Sequence, residues 1–317
     1  MAKHHKIKQI AKKVILLLSA IFIICNIFII VHTYKFTHYV ENINETPEKE
    51  ISPNISSIFF GINLPRPKNN TYPTHKFETI TLESNKKKLN GWYIFTDSIN
   101  CGGTVFLGHG YNGSKSGMLP KAEVFLDNGY NVFIIDFMGS GESEGNTTTI
   151  GWDEAKNIKS SYEYLIERGD KNIILFGTSM GAAAIMKAIH DYQEIKPMAI
   201  ILECPYGTIL KTIEARFKIM NLPQFIAYPF AFWGGTINGF NAFALEPEGY
   251  AKDITCPTLL IYGQNDNKVT IEETQIIYNN FAGKKTMKVY PSSGHDNYLV
   301  HNKNQWLKDI QYFLHSL

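Results

Sequence analysis

The sequence predicts an α/β domain built on a mainly parallel sheet with helices on both faces, tethered by one N-terminal transmembrane helix. Three observations carry this. Short runs rich in β-branched and aromatic residues alternate with longer helical stretches from about His75 onward. Several of those runs, NVFIID, NIILFG and PTLLIYG, are almost continuously apolar, as strands covered on both faces are. The third is the stretch Val14 to Val31, eighteen residues without a charge.

As a helix, that stretch reaches about 27 Å at 1.5 Å per residue, close to the hydrocarbon thickness of a bilayer. Asn26 is its only strongly polar interior residue, and Tyr34, Phe36 and Tyr39 follow at the level of an interfacial aromatic belt. A cleaved signal peptide is the alternative, but the apolar run exceeds the usual length of roughly 7 to 15 residues and no small-x-small cleavage site follows. Lys3, Lys6, Lys8, Lys12 and Lys13 precede the span, and the first acidic residue is Glu41. Residues 1–13 are therefore expected as a basic cytoplasmic tail and 14–31 as the anchor, with the rest of the chain extracytoplasmic, periplasmic if the source is bacterial.

Residues 32–74 are polar and carry five prolines, which reads as a stalk that partly docks on the domain. The domain proper, 75–317, offers eight strand runs: Phe77 to Leu82, Leu89 to Phe95, Thr104 to Leu107, Asn131 to Asp136, Asn172 to Phe176, Met198 to Glu203, Thr258 to Tyr262 and Lys285 to Tyr290. Helical patterns cover Lys121 to Asn128, Gly151 to Arg168, Met180 to Tyr192, Glu272 to Phe281 and Asn302 to His315. The first two strands are expected as an antiparallel pair, and an insertion before the next strand occupies about 207–253.

Charge and cysteine usage exclude other classes. The net charge is +2, but without the five N-terminal lysines the balance is 26 basic against 29 acidic residues. Such a domain has no broad basic surface for a phosphate backbone, so nucleic acid is not expected as a partner. Four cysteines do not make a disulfide scaffold. Nothing in the sequence calls for a metal or a nucleotide.

Gly177-Thr178-Ser179-Met180-Gly181 directly follows the strand NIILF and opens the helix MGAAAIMKAI. A nucleophile on a sharp strand-to-helix turn needs minimal side chains two positions either side, where helix and strand approach closely. Gly177 and Gly181 meet that need. A serine hydroxyl is a poor nucleophile until a base takes its proton. His295, in SSGHD after the last strand, leaves the same carboxyl edge of the sheet as Ser179. The base in turn needs an anion to fix its tautomer. Asp266, in GQNDNKV after PTLLIY, is best placed; Glu203, at the end of MAIILE, is the main rival. Asp136 ends a strand too, but the glycine-rich MGSGESEG after it gives it a turn-forming role. For an oxyanion hole, the backbone amides of Met180 and of Tyr111, in GHGYNG after TVFLG, are the expected donors. His109 is expected to hold that loop by hydrogen bonding rather than act as a base.

With these residues in order, Ser179, Asp266, His295 and an HG pair after the third strand, the chain resembles the α/β-hydrolase superfamily over roughly 75–317. The segment Asp136 to Gly145, DFMGSGESEG, and Leu202-Glu203 before Cys204-Pro205 resemble its membrane-anchored, prolyl-oligopeptidase-like or serine-aminopeptidase-like esterase branch. The resemblance implies an eight-stranded α/β-hydrolase fold and supports Asp266 over Glu203, because the residue matching Glu203 is not the acid in that branch. Met138 stands where an arginine is common, and Lys86-Lys87-Lys88 replaces a common Asp-Gly turn.

The insertion is rich in aromatics, Phe217, Phe225, Tyr228, Phe230, Phe232, Trp233, Phe240 and Phe243. In this superfamily that position forms a cap over the nucleophile, so an apolar acyl-binding wall, facing the membrane so that lipid-derived esters can enter, is one reading and plain packing of the cap onto the body the other. Arg216 reads as a solvated helix charge, with binding of a carboxylate as the alternative. The expected function is a membrane-tethered serine hydrolase acting on esters or thioesters of a small-molecule or lipid-derived acyl group. A serine peptidase of the same fold and a tethered binding protein without turnover are the alternatives.

Overall fold

The apolar runs pair into one sheet. In a computed structural model that describes residues 2–41 and 60–317, the strands are β1 (Phe77–Ser84), β2 (Lys87–Ile94), β3 (Thr104–Gly108), β4 (Asn131–Ile135), β5 (Ile173–Thr178), β6 (Ala199–Glu203), β7 (Thr258–Gly263) and β8 (Lys285–Tyr290). Their spatial order is β1-β2-β4-β3-β5-β6-β7-β8. β1 with β2 and β2 with β4 pair antiparallel, and every other pair is parallel. Asn85 and Lys86 close the first hairpin with φ of 50° and 61°, the left-handed backbone that a two-residue turn demands. This is how Lys86 stands in a turn that often carries glycine.

The period of two sorts the side chains onto two cores. Phe106, Phe133, Leu175, Leu202 and Leu260 face one layer, with α3 (Glu154–Arg168), α4 (Met180–Asp191) and α7 (Ile271–Asn280). Val105, Leu107, Ile134, Phe176 and Ile261 face the other, with α2 (Leu119–Asp127) and α8 (Lys303–His315). Each such fully buried side chain contributes about 1.5–3 kcal/mol. The helices stop and start on local chemistry: α3 ends at Gly169 with φ 88°, and Thr270 and Glu273 form a reciprocal capping box on α7. The cap holds α5 (Ile209–Ile219) and α6 (Ala227–Asn238).

α1 (Ala2–Thr37) is one helix of 36 residues. It runs through the expected basic tail, the apolar stretch and the first residues of the expected stalk, because no glycine or proline interrupts the chain before Pro47. Its apolar window has a mean hydropathy of 3.2 and is 0% buried by the rest of the protein. Beyond it, Tyr39–Val40 pairs with Leu64–Pro65. Arg66 then donates to the carbonyls of Gly141 (2.9 Å), Gly145 (2.7 Å) and Ser143, and to Glu41 (2.7 Å). The described ends of the expected stalk are thus docked on the domain; its residues 42–59, with Pro47 and Pro53, lie outside the described residues.

Candidate active site

β5 passes into α4 through Ser179, whose φ of 51° and ψ of −110° are strained for a residue with a side chain. The Ser179 amide donates to the Glu203 carbonyl (2.8 Å), which pins the turn to β6. A Cβ on Gly181 would overlap the carbonyls of Gly108 and His109, so glycine lets α4 pass against the end of β3.

Ser179, Asp266 and His295, distant in sequence, meet here. The Ser179 hydroxyl donates to His295 Nε2 at 2.9 Å, and His295 Nδ1 donates to Asp266 Oδ2 at 2.7 Å. The other Asp266 oxygen accepts from the amides of Lys268 (2.8 Å) and Val269 (2.9 Å), so the carboxylate cannot rotate away. The Asp266 side chain is fully buried and that of His295 is 15% exposed. The Asn265 amide also donates to the Ser293 carbonyl (2.8 Å), locking the two loops together. This geometry suits a proton relay from hydroxyl to imidazole with a fixed tautomer.

Burial opposes charge on His295, yet the Cys204 sulfur and the Asp266 carboxylate outweigh it and push the pKa up to about 10. Cys204 is buried just after β6, with a φ of 39°. Among the described residues, Cys204, Asp266 and His295 form the group with metal-ligand chemistry and spacing, their ligand atoms lying within 4.8 Å of one another. Asp266 and His295 are already committed to each other.

Glu203, the rival acid, points elsewhere. Its carboxylate pairs with Lys121 and accepts from Thr178 Oγ1 (2.9 Å) and Trp306 Nε1 (2.7 Å). Asp136 holds the turn after β4: it accepts from the Lys115 amide (2.7 Å), Lys115 Nζ (2.6 Å), the Glu142 amide (2.9 Å) and Asn69 (2.8 Å). Burial raises the Asp136 pKa, but the Lys115 ammonium and these donors more than offset it, leaving it below the usual carboxylate range. His109 is buried and its pKa is lowered by that burial. Its Nε2 accepts from the Phe137 amide (3.1 Å), so its Nδ1–H donates to the Gly110 carbonyl (2.8 Å). A neutral ring thus braces the loop carrying Tyr111.

That loop crosses the elbow, with a Cβ built on Gly110 lying 3.8 Å from Ser179 Cβ. Tyr111 and Met180 line a small open cleft together with Ser179, His295, Ile150, Tyr206, Thr212, Arg216, Lys268 and Val269. The cap contributes Thr212 and Arg216 to this wall and none of its aromatics, which corrects the reading of those aromatics as an acyl-binding wall. Phe217 and Phe230 pack edge to face at 5.0 Å, Phe240 stacks on Trp152 at 5.2 Å, and Phe225, Tyr228 and Phe232 face outward. Arg216 is not a solvated helix charge either. It donates to the Thr212 carbonyl (2.9 Å), lies 5.7 Å over the Phe36 ring and has no carboxylate partner among the described residues. Burial lowers its pKa, opposed by Tyr111 and Tyr206. Sequence reasoning also missed Lys121, Trp306 and the proximity of Cys204 to His295, none of which carries a local pattern.

Residues 100–227 match the family described as serine aminopeptidase, S33. The Bacillus subtilis protein YqkD is 24% identical over 218 residues, covering 68% of this chain and 72% of YqkD. The lysophosphatidylserine lipase ABHD12 of Mus musculus is 24% identical over 230 residues, covering 68% of this chain and 54% of its own length. Among solved structures, the Pyrococcus furiosus esterase Pf2001 superposes with a TM-score of 0.67 at 25% identity, over 80% of this chain and 96% of the esterase.

Proposed function

Because this chain belongs to the α/β-hydrolase superfamily and is a hydrolase, we propose that it is a membrane-anchored serine hydrolase that cleaves carboxylic esters or thioesters through an acyl-enzyme on Ser179. The relay from Ser179 Oγ through His295 to Asp266 is the observation that carries this reading. His295 Nε2 takes the hydroxyl proton as Oγ attacks the acyl carbonyl, and Asp266 stabilises the imidazolium. The developing oxyanion rests on the amides of Tyr111 and Met180, each such donor being worth about 3–4 kcal/mol of barrier. His295 then returns the proton to the departing alcohol or thiol. A water, deprotonated by His295, attacks the acyl carbon and frees the acid and Ser179.

Residues 75–317 form the catalytic domain with its cap at 207–253, and α1 is the anchor. The N-terminal lysines support an orientation with that end in the cytoplasm and the catalytic domain across the membrane. The S33 description favours a peptidase as a second reading. The cleft weighs against recognition of a peptide ammonium, because its lining holds two cations, Arg216 and Lys268, and no carboxylate. An esterase and a lipase among the relatives support an ester substrate. The test is labelling of the detergent-solubilised full chain with a fluorophosphonate probe. Labelling of the wild type and none of Ser179→Ala is expected; equal labelling of both removes Ser179 as nucleophile.

A further inference from the structure

Between Lys218 and Glu246 the chain runs 27 residues, 219–245, without Asp, Glu, Lys, Arg or His. This segment holds the end of α5, all of α6 and their connection, and it exposes large apolar side chains: Phe225 at 73%, Met220 at 55%, Phe232 at 54% and Tyr228 at 53%. Large exposed apolar side chains gathered in one uncharged segment of a folded domain mark an interaction site. Its position says what covers it. α6 packs along the second half of α1, on the stripe Asn26, Ile29, Thr33 and Thr37. Trp233 Nε1 donates to Asn26 Oδ1 (2.9 Å), Asn238 Nδ2 donates to Thr37 Oγ1 (3.2 Å), and Gly234 sits against Thr33.

Asn26 lies five residues inside the end of the apolar stretch, about 7.5 Å at 1.5 Å per residue. A span that crosses the bilayer therefore carries Trp233 down beside it, below the level of Val31. The bond also answers the one strongly polar residue of the span: Asn26 Nδ2 donates to the Phe22 carbonyl within α1 (2.8 Å), and its Oδ1 finds a donor on the cap; an unsatisfied amide in hydrocarbon is costly. From this geometry we infer that the uncharged cap segment 219–245 is itself seated in the adjoining leaflet of a phospholipid bilayer, as a second, non-spanning membrane contact beside α1. This rests on reading α1 as a membrane span. It adds that the cleft stands at the bilayer surface: α5 shows Thr212 and Arg216 to the cleft and Ile219 and Met220 to the outside, and Arg216 lies over Phe36, five residues beyond the span. Substrate then reaches Ser179 along α5 from the lipid phase, which fits a membrane-dissolved ester.

The experiment uses the full chain in phosphatidylcholine vesicles whose acyl chains carry bromine, a short-range quencher of tryptophan emission. Flotation with the vesicles reports the anchor, and the part of the quenching that depends on Trp233 reports the cap: α1 contains no tryptophan, Trp92 and Trp306 are fully buried in the domain, and the half-buried Trp152, stacked on Phe240, is the same in every variant and sets the background. Floated wild type should be quenched, and Trp233→Phe should lose at least half of the quenchable emission. Phe232→Trp in the Trp233→Phe background should restore it. Floated protein that is not quenched, or is quenched equally with and without Trp233, overturns the inference while leaving the anchor standing. So does protection of Trp233 that appears only as protein concentration rises, because a second copy then covers the face. Protein that does not float overturns the anchor and the inference with it.

Discussion

The Tyr111 hydroxyl donates to the Phe36 carbonyl at 2.6 Å, and the two rings stack with centroids 4.7 Å apart. The last turn of the N-terminal helix therefore fixes the loop whose amide is the proposed oxyanion donor. Tyr111→Phe keeps the ring and the amide but loses the hydroxyl bond, worth about 1 kcal/mol. Hydrolysis of a short-chain nitrophenyl ester by the full chain should fall about five-fold in kcat with little change in KM. An unchanged kcat would show that the anchor does not position the loop.

Asp266 and Glu203 should separate cleanly. Asp266→Asn leaves the histidine without its anion and should lower kcat by about four orders of magnitude, as in related triads. Glu203→Gln leaves Lys121 buried without its counter-charge, a change that costs roughly 3–5 kcal/mol. Its signature is a lower melting temperature with kcat held within a few-fold. A collapse of kcat in Glu203→Gln at a temperature where the protein is folded would reverse the assignment.

His295 must be neutral to accept the Ser179 proton, so activity rises with pH through its pKa, and a raised pKa moves that limb above the ordinary 6.5. Cys204 is among the causes of the rise. In Cys204→Ala the limb should shift to lower pH, measured as kcat/KM against pH. A limb that stays in place means the sulfur has no part in the titration.

Arg216 has no carboxylate partner among the described residues and faces the cleft, so an anionic group on the substrate is its natural complement. Arg216→Gln should raise KM about ten-fold for an ester bearing a carboxylate or phosphate, since a charge-assisted bond is worth about 1.5–3 kcal/mol. Neutral esters should be nearly unaffected, and Arg216→Lys should recover part of the loss. An equal rise in KM for both ester types would indicate a purely structural arginine.

The sheet was legible because its central strands are buried on both faces and so read as unbroken apolar runs, while the edge strands β1 and β8 are only partly buried; each observed strand lies within two residues of the run that announced it. Ser179, Asp266 and His295 were legible for a related reason: each leaves the carboxyl end of a parallel strand, so order along the chain fixes the shared edge. What lay beyond reach was side-chain pairing across the fold. Lys121 meets Glu203 from 82 positions away, and nothing local to either announces it. The outward turn of Phe225 and Phe232 was hidden too, because composition alone does not separate an aromatic that packs on the body from one that faces outward.

With α1 read as the proposed membrane anchor, Arg66 and its neighbours also bear on what would release the domain. A protease that cuts between Glu41 and Phe60 severs the covalent tether, yet Tyr39–Val40 remains paired with Leu64–Pro65, the Tyr39 amide with the Asn146 carbonyl (2.7 Å), and Trp233 with Asn26. Separation of the two parts by a single nick is thereby disfavoured; the fragments stay assembled, and on that reading release requires unfolding of these contacts as well as cleavage.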